Sequence, residues 1–162
     1  MSLLFVPGYR LRKGSTIDRA RLVKFAQRTY GELYPDQDFA HLPRLVEQYL
    51  SSKTPLWWVE SQNDDDAGFP QHRQALGCLW LGNAVDQLDG DRHAHIFLLY
   101  VDPQHRRQGI GSALIHHAET WARQRGDRQL GLQVFADNQP AIHLYEKLGY
   151  QTFSHWMVKR LN

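Results

Sequence analysis

The amino-acid sequence predicts an α/β domain: a mixed, mostly antiparallel sheet of six to seven strands covered by about four helices. Three observations lead there. The second half reads strand, helix, strand, helix, strand, and the first half sets apolar runs of strand length beside two amphipathic helical stretches. The 162 residues show no internal repeat and no linker that would divide them, so a single domain over 1–162 is expected. Composition, 42% hydrophobic and 22% charged, is that of a globular chain able to pack its own core without a disulfide or metal staple.

The elements follow in order. Tyr9 to Lys13 alternates and reads as an edge strand. Ser15 and Thr16 offer caps for a helix from Ile17 to about Tyr30, and Gly31 reads as its C-cap. A second helix is expected over Phe39 to Leu50, burying Leu42, Leu45, Val46, Tyr49 and Leu50. Pro55 to Glu60 and Ala75 to Leu81 read as strands. Between them lies a polar stretch, Ser61 to Gln74, with the run Asp64-Asp65-Asp66. That run lacks calcium-loop spacing and reads as a solvated hairpin loop. Then come a strand over His93 to Val101, a helix over Gly109 to Arg125 and a strand over Gln129 to Phe135. A helix over Gln139 to Leu148 and one bent strand, or two short ones, over Tyr150 to Leu161 complete the chain.

Several function classes are excluded early. Nineteen Lys and Arg against seventeen Asp and Glu leave a formal charge of +2, too little for a strong nucleic-acid or membrane binder. The single Cys78 sits in an apolar strand, which rules out an internal disulfide and a four-thiolate zinc site. His93 and His95 share a strand face with no third ligand in view, and no metal is expected; His116 and His117 read as helix positions. Neither a membrane span nor a signal-peptide core is visible, so a soluble cytoplasmic protein is expected.

Chemistry concentrates in Val101-Asp102-Pro103-Gln104-His105-Arg106-Arg107-Gln108-Gly109-Ile110-Gly111-Ser112. A strand ends, a basic loop follows, and two glycines open an amphipathic helix. Glycines there let a ligand approach the backbone, free N–H groups face it, and the helix dipole with Arg106 and Arg107 favours an anion. The segment reads as a diphosphate cradle. It lacks the Gly-Lys-Ser/Thr of a P-loop, and Leu114 stands where a dinucleotide fingerprint needs a third small residue.

The pattern Arg106-x-x-Gly109-x-Gly111 instead resembles the coenzyme A signature of the GCN5-related N-acetyltransferase (GNAT) superfamily. Leu98 to Pro103 is similar to the family's fourth strand and its turn. Val134 to Ala141 is similar to the end of its fifth strand, and Ala141 to Tyr150 resembles its second cofactor motif. The resemblance covers about 94–159, the expected cofactor-binding core. It implies a GNAT-like fold with fourth and fifth strands splayed apart, and an N-acetyltransferase moving the acetyl group of acetyl-CoA to a primary amine by direct attack. Homodimers are frequent in the family. No nucleic-acid or membrane partner is implied.

By the same resemblance Leu99, Tyr100 and Val101 offer backbone groups to the cofactor, with Arg106, Arg107, Gln108, Gly109, Ile110, Gly111 and Ser112 as its cradle. Asn138 is both helix N-cap and cofactor contact. Tyr145 falls beside the cofactor sulfur and is the candidate general acid, a phenol being a fit proton source for a departing thiolate. A base is harder to place: Gln133 stands where some members carry glutamate, and Phe97 and Leu98 where others carry acids. A water chain, an amine arriving partly deprotonated, or a residue of the variable half are the alternatives, with Glu32, Glu60 and His95 as candidate residues. Tyr30, Glu32 and Tyr34, between the first two helices, form an acidic and aromatic stretch suited to a cationic acceptor. A non-catalytic acyl-CoA-binding or regulatory domain of the same fold is the alternative, raised by Gln133.

Overall fold

Runs rich in Leu, Trp and Val supply the centre of a sheet ordered β1-β2-β3-β4-β5. Its strands are β1 (Tyr9–Lys13), β2 (Leu56–Ser61), β3 (Ala75–Val85), β4 (Arg92–Val101) and β5 (Leu130–Leu132). The structure, a computed structural model, describes residues 5–63, 69 and 73–162. The acidic run at 64–66 lies outside them. Strands β1 to β4 pair antiparallel. Strand β5 runs parallel to β4 because a helix, α3 (Ile110–Arg125), carries the chain back across the sheet.

Alternation along the strands divides the core in two. One face sets Trp58, Cys78, Trp80, Leu98 and Tyr100 against Leu22, Phe25 and Ala26 of α1 (Arg19–Leu33) and Leu42 and Val46 of α2 (Leu42–Tyr49). The other sets Val59, Leu79, Leu81, Ile96 and Val101 against Ile110, Leu114 and Ala118 of α3. Cys78 is buried, as its apolar setting implies, and burial pushes its thiol pKa up, so it is an unreactive core residue.

The register of β3 against β4 shifts between Trp80 and Leu81, leaving Phe97 as the extra residue of a bulge. Its ring lies over Gly82, where any Cβ would sit 1.9 Å from it, so glycine is needed there. Pairing of β4 with β5 stops one residue earlier, at Ile96 and Leu132. Beyond that point β4 pairs, among the described residues, with β3 alone, and its edge on the β5 side carries no ladder.

Three expectations about elements need correction. Among the described residues the sheet has five strands, not six to seven, since Tyr150 to Leu161 forms none and 151–162 is exposed along its whole length. A strand exists only through a ladder to a neighbour, and this segment meets none on its own chain. Helix α1 runs through Gly31 to Leu33 and stops before Pro35, whose ring disfavours helical backbone at Tyr34. Pro43 in the first turn of α2 delays that helix from Phe39 to Leu42, and Leu45 and Tyr49 stay partly exposed. The last helix, α4 (Gln139–Lys147), has the expected caps: Asn138 Oδ1 accepts from the Ala141 N–H, and Gly149 takes φ +94° just past the end.

Candidate functional site

The cradle is built where β4 gives way to α3. Asp102 caps a short 3-10 turn, Pro103–His105, through the Gln104 N–H. Arg107 then adopts φ 64° and Gly109 φ 85°. The left-handed conformation strains a residue with a Cβ, and such strain persists only where the surroundings hold it. Here Tyr9 of β1 does part of the holding: its hydroxyl donates to Gln108 Oε1 at 2.9 Å, leaving its oxygen to meet His105 Nδ1 at 2.8 Å.

Gly109 caps α3 without a side chain, and nothing lies within 4 Å of where its Cβ would be. The Ala113 N–H closes the first helical bond, onto Gly109 O. The N–H groups of Ile110, Gly111 and Ser112 precede that bond and have no intrahelical acceptor. Ile110 points its side chain into the core, which fixes the turn, while Gly111 and Ser112 are partly exposed. A row of backbone donors at the positive end of a 16-residue helix, flanked by exposed Arg106 and Arg107, suits a diphosphate.

Beside the cradle, β4 offers backbone. The Asp102 N–H bonds Leu76 O, so alternation spends the Tyr100 backbone on Cys78 and turns that of Leu99 and Val101 away from β3, toward the side that β5 has left. Val101 O already accepts from Arg106 Nε at 2.8 Å. Tyr100 serves differently from its neighbours. Its side chain enters the α1/α2 core, and its hydroxyl donates to Glu32 Oε1 at 2.9 Å. Burial first, and Glu32 second, push its pKa up to about 12.

Glu32 is therefore a joint. Besides Tyr100 it binds Arg106 Nη2 through both carboxylate oxygens, at 2.9 and 2.8 Å, and that guanidinium lies over the Tyr100 ring. The end of α1 is thereby tied to the loop that leads into α3. Tyr30 and Tyr34, on the same turn, meet Phe135 just past β5 edge-on, with centroids 6.2 and 5.3 Å apart, and Phe39 tilts against Tyr30. Burial raises the Tyr30 pKa. Phe135 and Phe39 were missing from the sequence candidates: Phe135 read as the end of a strand over Gln129 to Phe135, and Phe39 as the start of a helix, so neither carried a site signal.

Tyr145 lies on α4, partly buried, with its pKa raised by desolvation, so its phenol keeps its proton at neutral pH. It meets Tyr150 edge-on, and the Tyr150 hydroxyl donates to Glu119 of α3 at 3.0 Å. The adjacent Leu144 approaches Gly111 so closely that a Cβ there would lie 3.3 Å from it. Helix α4 thus abuts the first turn of α3, and Tyr145 and Asn138 are carried on the cradle's neighbour.

The base candidates separate clearly. Glu60 is fully buried in a cluster with Arg10, Arg12 and Arg73 and serves structure. Glu32 is engaged by Arg106 and Tyr100. His95 lies over Gly131 of β5, and its buried Nδ1 has no hydrogen-bond partner. Burial, then the nearby His93, lowers its pKa, which keeps the imidazole neutral. Gln133 is exposed. Among the described residues no group of three His, Cys, Asp or Glu is placed to hold a metal, and no helix is long and apolar enough to cross a membrane.

Known proteins resemble this chain in sequence and in fold. The profile of the Acetyltransferase (GNAT) family matches residues 19–150. An uncharacterized N-acetyltransferase of Methanocaldococcus jannaschii is 32% identical over 127 residues, 70% of this chain and 54% of its own length. The ribosomal protein bS18-alanine N-acetyltransferase of Escherichia coli is 46% identical over 57 residues, 35% of this chain and 38% of its own. The chain thus spans about half or less of these curated relatives. A predicted acetyltransferase of Clostridium acetobutylicum, solved with acetyl-CoA, shares the fold at TM-score 0.74 and 18% identity, over 94% of this chain and 96% of that one.

Proposed function

The chain belongs to the GNAT family of acetyltransferases, and on that footing we propose that residues 1–162 form one N-acetyltransferase domain that moves the acetyl group of acetyl-CoA to a primary amine. One observation carries the reading. The uncapped start of α3 follows the end of β4, where the Leu99 and Val101 backbone turns away from β3 on the side that β5 has left. When bound, acetyl-CoA supplies an activated acyl group and a good leaving thiol; everything else falls to this chain.

The Ile110, Gly111 and Ser112 amides, with Arg106 and Arg107, hold the diphosphate, and Gly109 leaves room for it. Leu99 and Val101 offer main-chain donors and acceptors to the extended arm and the acyl carbonyl, where pre-aimed N–H groups lower the barrier. Tyr145 holds a proton on Oη for the leaving group. His95 takes the amine's proton on its neutral imidazole, directly or through a water. Tyr30, Tyr34 and Phe135 give the acceptor an aromatic wall, to which a cationic small molecule or peptide end is drawn.

The second reading, an acyl-CoA-binding regulatory domain without turnover, is supported by exposed Gln133 and by Phe97 and Leu98 packed into the core face. Thermal shift and an amine panel separate the two. Acetyl-CoA and CoA at a hundred-fold excess over Kd should each stabilise the fold by about 2.7 kcal/mol, NAD should not, and free thiol should appear with at least one amine. Absence of stabilisation by both CoA species sinks both readings, whereas stabilisation without turnover on any amine selects the regulatory one.

A further inference from the structure

Edge strand β1 reaches the loop before α3 through the side chain of Tyr9. Period two sends Tyr9 and Leu11 to the α3 face of the sheet, where both pack against the core that holds Val101 and Ile110. The backbone of Tyr9 is fixed independently. Its N–H bonds Val6 O at 2.9 Å, across a turn in which Gly8 takes φ +87°, and the residue pairs with Ser61 of β2. The ring is therefore a held arm, and it crosses the His105 ring at 90° with centroids 5.7 Å apart.

A phenol has one proton to give. Gln108 Oε1 can only accept, so the proton goes there at 2.9 Å, and His105 must supply the hydrogen of the other contact. Its Nδ1 therefore donates to Tyr9 Oη at 2.8 Å. The same direction passes on to Gln108. A carboxamide accepts at Oε1 and donates twice at Nε2, and on an exposed side chain either end can turn to a ligand. With Oε1 engaged by Tyr9, Nε2 is the end left over. That is the end a diphosphate requires, since its oxygens accept and an amide oxygen turned toward them would be repelled. Dipoles aligned through His105, Tyr9 and Gln108 also reinforce one another.

We propose that Tyr9 is a positioning residue for the cofactor: by holding Oε1 of Gln108 it commits that side chain to donate, through Nε2, to the diphosphate of acetyl-CoA. The inference rests on the acetyl-CoA reading of the cradle. It adds a side-chain donor to the backbone row of Ile110, Gly111 and Ser112. It also gives β1, at the opposite end of the sheet order from β5, a part in cofactor affinity. The role concerns binding alone and leaves acyl transfer to other residues.

Tyr9→Phe keeps the ring and its packing and removes only the hydroxyl. Isothermal titration of the full chain should show CoA binding weakened about 3- to 10-fold, the size expected for one hydrogen bond. Saturating acetyl-CoA should restore the wild-type kcat, so that the loss falls on KM. Gln108→Lys separates orientation from packing, because an ammonium donates whatever Tyr9 does. Added to Gln108→Lys, Tyr9→Phe should weaken CoA binding by less than about twofold. The proposal is overturned if Tyr9→Phe binds CoA as tightly as wild type, if its loss is the same with and without Gln108→Lys, or if the loss falls on kcat. A wild-type chain that does not bind CoA overturns the cradle reading and this inference together, whereas each of the other outcomes leaves the cradle standing.

Discussion

Strands β2 to β4 and helices α1 to α3 all send side chains into the core, whereas no residue of β5 or α4 is fully buried. Strand β4 is the boundary. On one side it has a nine-pair partnership with β3; on the other, three pairs with β5. The long pairing holds the shape of β4, and the short pairing leaves its last residues available. On the proposed function, stability and chemistry therefore occupy opposite sides of the same strand, and substitutions on the two sides should behave differently.

Tyr145→Phe tests the chemical side and has the largest expected effect. Loss of a positioned proton donor should lower kcat about 10²–10⁴-fold. The ring remains, so acetyl-CoA should still raise the melting temperature as it does for wild type. Unchanged turnover would remove Tyr145 from the reaction. The stable side is tested by Leu81→Ala, which removes a fully buried side chain at a cost of about 2–5 kcal/mol. Leu144→Ala, on half-buried α4, should cost clearly less in the same urea titration. Equal losses would break the contrast between the two sides.

What could be read from sequence follows the same boundary. The caps of α4, the glycine-opened start of α3 and the burial of Cys78 rest on local rules, and each stands in the fold. Passage of α1 through Gly31 was hidden because Pro35, not glycine, sets its end. The length of β5 was hidden as well: Gln129 to Phe135 has strand character throughout, but the bulge at Phe97 bends β4 away after Ile96. Likewise the tail from Tyr150 has strand composition and no neighbour, and composition cannot supply one. The meeting of Tyr30 and Tyr34 with Phe135, and of Glu32 with Arg106, joins residues about a hundred and about seventy positions apart, beyond the reach of spacing.

Titration offers a sharper probe of the boundary strand. Burial lowers the pKa of His95 on β4 and of His117 on α3. Each binds its proton more weakly folded than unfolded, where a histidine titrates near 6.5. Below that value the unfolded chain takes up protons that the native chain refuses, so stability should fall as pH drops from about 6.5. Chemical denaturation across that interval should show the slope, and His95→Gln should flatten it. If His95 is also the base, the same variant loses the acidic limb of kcat. A flattened stability slope with an intact limb would assign His95 to the fold alone.

The smallest effect concerns the tie between the two sides. Glu32 and Arg106 are both partly exposed, so their ion pair should hold the fold by no more than about 0.2–1 kcal/mol. Its larger consequence is competition, because a guanidinium bound through both carboxylate oxygens has fewer donors left for a phosphate. Glu32→Gln should therefore tighten CoA binding modestly while raising KM for a cationic amine, since the acceptor wall loses its charge. Isothermal titration with CoA and amine kinetics report the two changes separately. A variant that binds CoA more weakly would show instead that Glu32 positions Arg106 for the diphosphate, and the tie would then belong to the cradle rather than compete with it.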